Sequence, residues 1–223
     1  MAIYLVVQTL VFLVFMFILS AKGDVDVDVE ELAESGLFFG IASSVSAVIS
    51  TLLVIGCVAL KKGVRIVDYL KLYRPRLRSI VIWTVLFFVI FTPIDWLRIE
   101  VFEKPVVPEF MLDAYLSCDF LPILWFAILI GAPFAEEFLF RGFVFEGIKH
   151  TRMGSVGAVV ICSLVWSAVH LQYDLIDMSV VFLGGLFLGV AKLRTGTLWV
   201  PIILHFIWNL GAMIQTAMAA AQV

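Results

Sequence analysis

Apolar residues run almost unbroken over about 2–21, 37–60, 80–97, 121–148, 156–173, 175–191 and 197–217, with charged residues collected between the runs. Each run is near the roughly 20 residues that carry an α-helix across about 30 Å of hydrocarbon at about 1.5 Å per residue. The pattern therefore predicts an all-α, polytopic transmembrane bundle of about seven helices. Six to eight is the range, because the fourth run is overlong and charged and the sixth is short and glycine-rich at Gly184, Gly185 and Gly189. No repeat or linker divides the chain, so residues 1–223 read as a single membrane domain. The first run has no basic residue ahead of it and exceeds the roughly 7–15 apolar residues of a secretion signal, which predicts a retained helix.

Composition removes whole classes of function. Of 223 residues, 63% are hydrophobic and only 15% charged, and the mean hydropathy is +1.10. Soluble domains are roughly half apolar and about a quarter charged, so a soluble enzyme, a nucleic-acid binder and a disordered linker are excluded. The net charge of −3 matters less than where the cations lie. Residues 22–36 are acidic, 61–79 hold Lys61, Lys62, Arg65, Lys71, Arg74, Arg76 and Arg78, and the alternation continues to Lys192 and Arg194. Of the fifteen Lys and Arg, only Lys22, Arg98, Lys104 and Arg141 fall off the basic side. That bias predicts a cytoplasmic N-terminus in a multi-pass integral membrane protein, of the inner (plasma) membrane in a bacterium. Cys57, Cys118 and Cys162 have no metal-like or redox-like spacing and read as packing residues.

The informative residues break the apolar rule inside spans, where a charged group costs on the order of 2.5–3.5 kcal/mol on insertion scales. The fourth run places Glu136, Glu137 and Arg141 within six positions. Glu137 and Arg141 are four apart, share a helix face and are predicted to form an ion pair. Glu136 is turned by about 100° from Glu137 and has no local partner, which makes it the candidate general base. Pro133, three residues upstream, removes a helical hydrogen bond and is expected to open the helix near the carboxylates. Two of the three histidines, His170 and His205, also fall in runs, and His205 shares a helix face with Asn209. Alone, either histidine reads as a satisfied interior residue. A buried Glu, two His and an Asn together are more polar equipment than helix packing requires. Trp166 and Trp208 read as core or interface residues.

These residues resemble the CPBP intramembrane proteases, the family that includes the Rce-type CAAX prenyl endopeptidases and many bacterial Abi-type proteins. Its pattern is Glu-Glu-x-x-x-Arg, then aromatic-x-x-x-His, then His-x-x-x-Asn on successive helices. Glu136, Glu137 and Arg141 match the first motif, Trp166 and His170 the second, and His205 and Asn209 the third. The resemblance covers residues 120–215 as a catalytic core and leaves 1–119 as helices and loops of variable type that would shape substrate access. Trp166 stands where Phe is commoner, a change not expected to alter the chemistry.

The resemblance implies hydrolysis of a peptide bond in a membrane-embedded or lipidated protein or peptide, with the bilayer as surroundings and no nucleic acid as partner. Glu136 with His170 would activate water, His205 with Asn209 would stabilise the oxyanion, and Glu137 with Arg141 would orient them. No cofactor is needed for that route. An alternative is a divalent zinc held by Glu136, His170 and His205, although the His-Glu-x-x-His pattern of zincins is absent. Two other classes stay open: a transporter or proton-linked channel using the same buried groups, and a non-enzymatic immunity protein in which they only stabilise the fold.

Overall fold

A computed structural model describes residues 35–223. The predicted span over 2–21 and the acidic stretch through Glu34 lie outside the described residues. Within them the chain is all-helical, as predicted: α1 Gly36–Ala59, α2 Ile66–Leu70, α3 Leu77–Glu100, α4 Glu109–Leu116, α5 Leu121–Lys149, α6 Gly154–Ala168, α7 Leu175–Thr195 and α8 Trp199–Ala220. Five of these, α1, α3, α5, α7 and α8, are long and apolar enough to cross a membrane. The protein is a multi-pass membrane protein.

Several sequence expectations are corrected. The run over 156–173 does not form a full span, because α6 ends at Ala168 and reaches only about 22 Å at the usual helical rise. The polar sequence Gln172-Tyr173-Asp174 turns the chain there, and Asp174 caps α7 by accepting the amides of Ile176 and Asp177 at 2.9 and 3.0 Å. Lys192 is not a loop charge: it lies inside α7, 2% exposed, paired with Glu146 of α5. Cys57 is exposed, whereas Cys118 and Cys162 are buried as expected. The short helices α2 and α4 lie in segments read as loops.

Pro133 does not open α5. The helix widens instead, with π-helical turns at Ala127–Gly131 and Glu137–Val144. The amides of Ala132 and Phe145 reach back five residues, to Ala127 and Phe140. A wider turn ahead of Pro133 relieves the ring's clash with the carbonyl four residues back.

The described residues form two compact units: one holds 35–52, Val107–Ala135 and Asn209–Val223, the other Leu53–Val106 and Glu136–Trp208. The first is built on Val107, Met111, Cys118, Leu124 and Met213. In it the Gly36 amide donates to Ser117 Oγ at 2.9 Å.

The second unit packs Phe145, Ala158, Val159 and Cys162 into one core. Small residues let α7 approach α6 closely. A methyl group on Gly185 would stand 2.9 Å from Ser163 Cβ and 3.0 Å from the Trp166 ring. One on Gly184 would stand 2.0 Å from the Trp208 ring, which is itself wedged against Phe87 and Phe91. At the opposite end of α7 from Lys192, buried Arg98 ties α3 to its neighbours. It donates to Asp95, to the carbonyls of Pro105 and Val106 and to Asp177, while Lys104 pairs with Asp174.

Gly184→Ala should therefore destabilise the detergent-solubilised protein by about 1–3 kcal/mol, the usual cost of overpacking. Gly211→Ala, in α8 with open space around it, should be neutral or slightly stabilising. Thermal unfolding of the two variants side by side checks this, and equal melting temperatures would contradict the packing described.

Candidate active site

Of the ionisable groups in the fourth run, Glu137 and Arg141 are completely buried and Glu146 nearly so, and the geometry explains how. Glu137 opens the second π-helical segment of α5 and Arg141 lies within it, and both side chains are 0% exposed. Arg141 Nη1 donates to Glu137 Oε1 at 2.8 Å, the predicted ion pair, and Nη2 donates to the Gly185 carbonyl at 3.4 Å. The wider turn brings residues four apart nearer to eclipsed than an α-helix does, which suits this contact. The Arg141 guanidinium also lies 4.3 Å from the centre of the Trp166 ring, a cation–π contact in a desolvated place.

The same Glu137 oxygen takes a second bond. His205, nearly two turns into α8, sets Nδ1 at 3.0 Å from Glu137 Oε1. A carboxylate already paired to arginine is an acceptor, so Nδ1 carries the proton and Nε2 turns toward Glu136, whose Oε2 is 4.0 Å away. Pro201 precedes it in the first turn of α8, where a missing amide proton costs no helical bond.

Glu136 differs from its neighbour in the way that matters for chemistry: 14% of its side chain remains accessible. It is also not without a partner, as its place in the helix suggested. Trp166 Nε1, thirty residues on, donates to Glu136 Oε2 at 2.5 Å. Phe at this position would have no such proton to give, so the substitution expected to be inert places a donor on the candidate base. Trp166 sits edge-on to His170 at 5.2 Å and to His205 at 5.5 Å between ring centres. One indole thus touches Glu136, Arg141 and both histidines.

His170 lies just past the end of α6 and not within a span. Its Nδ1 meets the Trp166 carbonyl at 2.7 Å, which makes Nδ1 the donor and leaves Nε2 as the free acceptor. Tyr173 stacks on the imidazole, 5.9 Å between centres and 10° from parallel. Burial pushes the Tyr173 hydroxyl up to about 12, so it stays protonated. The Lys104 ammonium beside Asp174 holds that carboxyl below the usual carboxylate range, so the pair that ties down this loop persists near neutral pH.

Asn209 falls in the first unit, where its Nδ2 donates to the Ile128 carbonyl at 2.8 Å. His150 is exposed in the turn after α5, near Glu146 at 3.9 Å. Among the described residues no three His, Cys, Asp or Glu side chains converge closely enough to hold a metal ion. Glu136, His170 and His205 do not form such a cluster, although each histidine engages a protein oxygen through Nδ1 and keeps Nε2, the nitrogen a metal would take.

Sequence reasoning missed Trp166 as a donor, Tyr173 as the stacking partner of His170 and the Gly185 carbonyl as the second acceptor for Arg141. Only the spacing of Trp166, four residues before His170, carried a signal.

Comparison with known sequences falls on the same segment. The pattern of a family described as type II CAAX prenyl endopeptidase Rce1-like matches residues 119–211. An uncharacterized 24.3 kDa protein of Escherichia coli is 33% identical over 104 residues, covering 46% of this chain and 47% of that protein. The chain thus spans about half the length of the curated relative it matches. No solved structure matches it. The matched stretch begins two residues before α5 and ends inside α8, so the similarity to that family is confined to the segment that carries Glu136, Trp166, His170 and His205.

Proposed function

We propose that this protein is an intramembrane endopeptidase that hydrolyses a peptide bond in a membrane-embedded or lipidated protein or peptide, without a metal. The observation that carries this reading is the division between two adjacent carboxylates. Glu137 is wholly buried and saturated at one oxygen by Arg141 and His205, whereas Glu136 is partly accessible and oriented through one oxygen by Trp166. The first arrangement is structural; the second leaves Glu136 Oε1 to meet a reactant.

In the proposed reaction Glu136 takes a proton from water as the water oxygen bonds to the scissile carbonyl carbon, with His170 Nε2 accepting a hydrogen bond from the same water. The oxyanion so formed takes a hydrogen bond from His205 Nε2, when that imidazole is doubly protonated. Collapse breaks the C–N bond, and Glu136 returns its proton to the departing amine. Glu137 holds His205 at Nδ1 and so aims the other nitrogen, and Arg141 holds Glu137.

Glu136→Gln should leave the melting temperature nearly unchanged and lower turnover by about 10²–10⁴. Glu137→Ala should instead strip a buried guanidinium of its partner and cost about 3–5 kcal/mol of stability. The measurement is proteomics of membrane-protein termini in cells expressing wild type, Glu136→Gln or His170→Ala at matched abundance. New termini should appear in the wild type alone. Identical termini in all three, with a transport or resistance phenotype that still follows Glu136, would sink the protease reading.

Trp166→Phe isolates one hydrogen bond, because the ring over Arg141 is kept while the donor to Glu136 is lost. A bond to a charged group is worth about 1.5–3 kcal/mol, so turnover should fall roughly ten- to hundred-fold with the fold intact. Wild-type turnover in this variant would remove Trp166 from the mechanism. Once a substrate is known, a strong zinc chelator added to the purified enzyme should leave its rate unchanged, and a loss restored by added zinc would return the metal route.

A further inference from the structure

The basic segment between α1 and α3 is shaped as well as charged. Lys71, left-handed at φ 56°, ends α2 and reverses the chain, so that its carbonyl accepts the Leu198 amide at 2.9 Å. Two residues on, the Tyr73 carbonyl accepts Thr197 Oγ1 at 2.5 Å, and Tyr69 Oη reaches the Phe143 carbonyl at 3.4 Å. The hook at 71–75 is therefore fixed against the start of α8. Between them runs a groove of about 350 Å³ lined by Leu72, Pro75, Trp199 and Ile203, with Arg74 as its one charged wall.

Charge around the groove is one-sided. The acidic side chain within 61–79 is Asp68, and it is already committed: Arg65 grips it at 2.6 and 3.1 Å and Tyr73 Oη donates at 2.8 Å. The Arg65 guanidinium and the Tyr73 hydroxyl hold its carboxyl below the usual carboxylate range. Lys62, Arg74, Arg76 and Arg78 are exposed and have no acidic partner among the described residues. Trp199 and Leu77 begin α8 and α3, both of spanning length, so the groove lies where the hydrocarbon meets the headgroups. An apolar trough with an unpartnered guanidinium on its wall, at that depth, has the chemistry of a lipid bearing a net negative headgroup. Its volume is within the roughly 300–1,000 Å³ of small-molecule sites.

We propose that this groove binds one anionic phospholipid, its phosphate on Arg74 and the adjoining glycerol and acyl carbons on Leu72, Pro75, Trp199 and Ile203. Arg76 and Arg78 add field at the rim. The site is independent of the proteolytic reading, since none of its residues belongs to the cluster around Glu136.

The test is native mass spectrometry of the delipidated full chain titrated with phosphatidylglycerol or with phosphatidylcholine of the same acyl chains. One phosphatidylglycerol should be retained at least about ten-fold more tightly than phosphatidylcholine. Arg74→Gln should lose about ten-fold of that, the loss of one charge-assisted contact, while exposed Arg152→Gln changes it less than about two-fold. Equal retention of the two lipids would overturn the proposal, as would equal weakening by the two substitutions, which would mean diffuse charge alone. So would displacement of the lipid by inorganic phosphate, which would mean an anion site without the groove. A dimer that Arg74→Gln dissociates would assign the groove to a second copy instead.

Discussion

A guanidinium and a carboxylate with no exposure at all cannot stand alone in a membrane protein, and the arrangement of the second unit follows from satisfying them. Arg141 needs acceptors on more than one side, and it finds Glu137 on its own helix, the Gly185 backbone on α7 and the face of Trp166 on α6. Each demands close approach. Gly185 has no side chain to hold α7 away, and the π-helical turn of α5 lets Glu137 and Arg141 face the same way. Once Glu137 is fixed, His205 is fixed through it, and Trp166 fixes Glu136. The reactive-looking groups are thus placed by the unreactive ones.

Position in the chain separates rigid parts from tethered ones. Glu136, Glu137, Arg141 and His205 ride on long helices, whereas His170 stands on the short connection from α6 to α7. Loops hold their geometry less tightly than helices do. This connection compensates with the Tyr173 stack, the Asp174 cap and ion pairs from Lys104 and Arg98.

Much of this was legible in the sequence because its carriers are local. Twenty-residue apolar runs give helices at nearly any boundary, and four-residue spacing gives the Glu137–Arg141 pair without tertiary knowledge. What was hidden involved partners distant along the chain. Glu146 meets Lys192 across 46 residues and Glu136 meets Trp166 across 30, and nothing in either local sequence names the other. The end of α6 was misplaced because His170 and Leu171 continue an apolar run that the turn at Val169 has already left. Widened turns in α5 were invisible since Pro133 alone predicts a break and not the i−5 bonding that absorbs it.

The indole of Trp166 lies against four ionisable side chains, and this has a consequence for how the site can change over generations. Effects of substitutions at Glu136, Arg141, His170 and His205 pass through one shared neighbour, so they will not sum. A replacement tolerated beside tryptophan meets a different cavity and a different donor set beside phenylalanine. Sequences that differ at position 166 should accordingly differ in which second changes they accept, and the site drifts as a block or not at all.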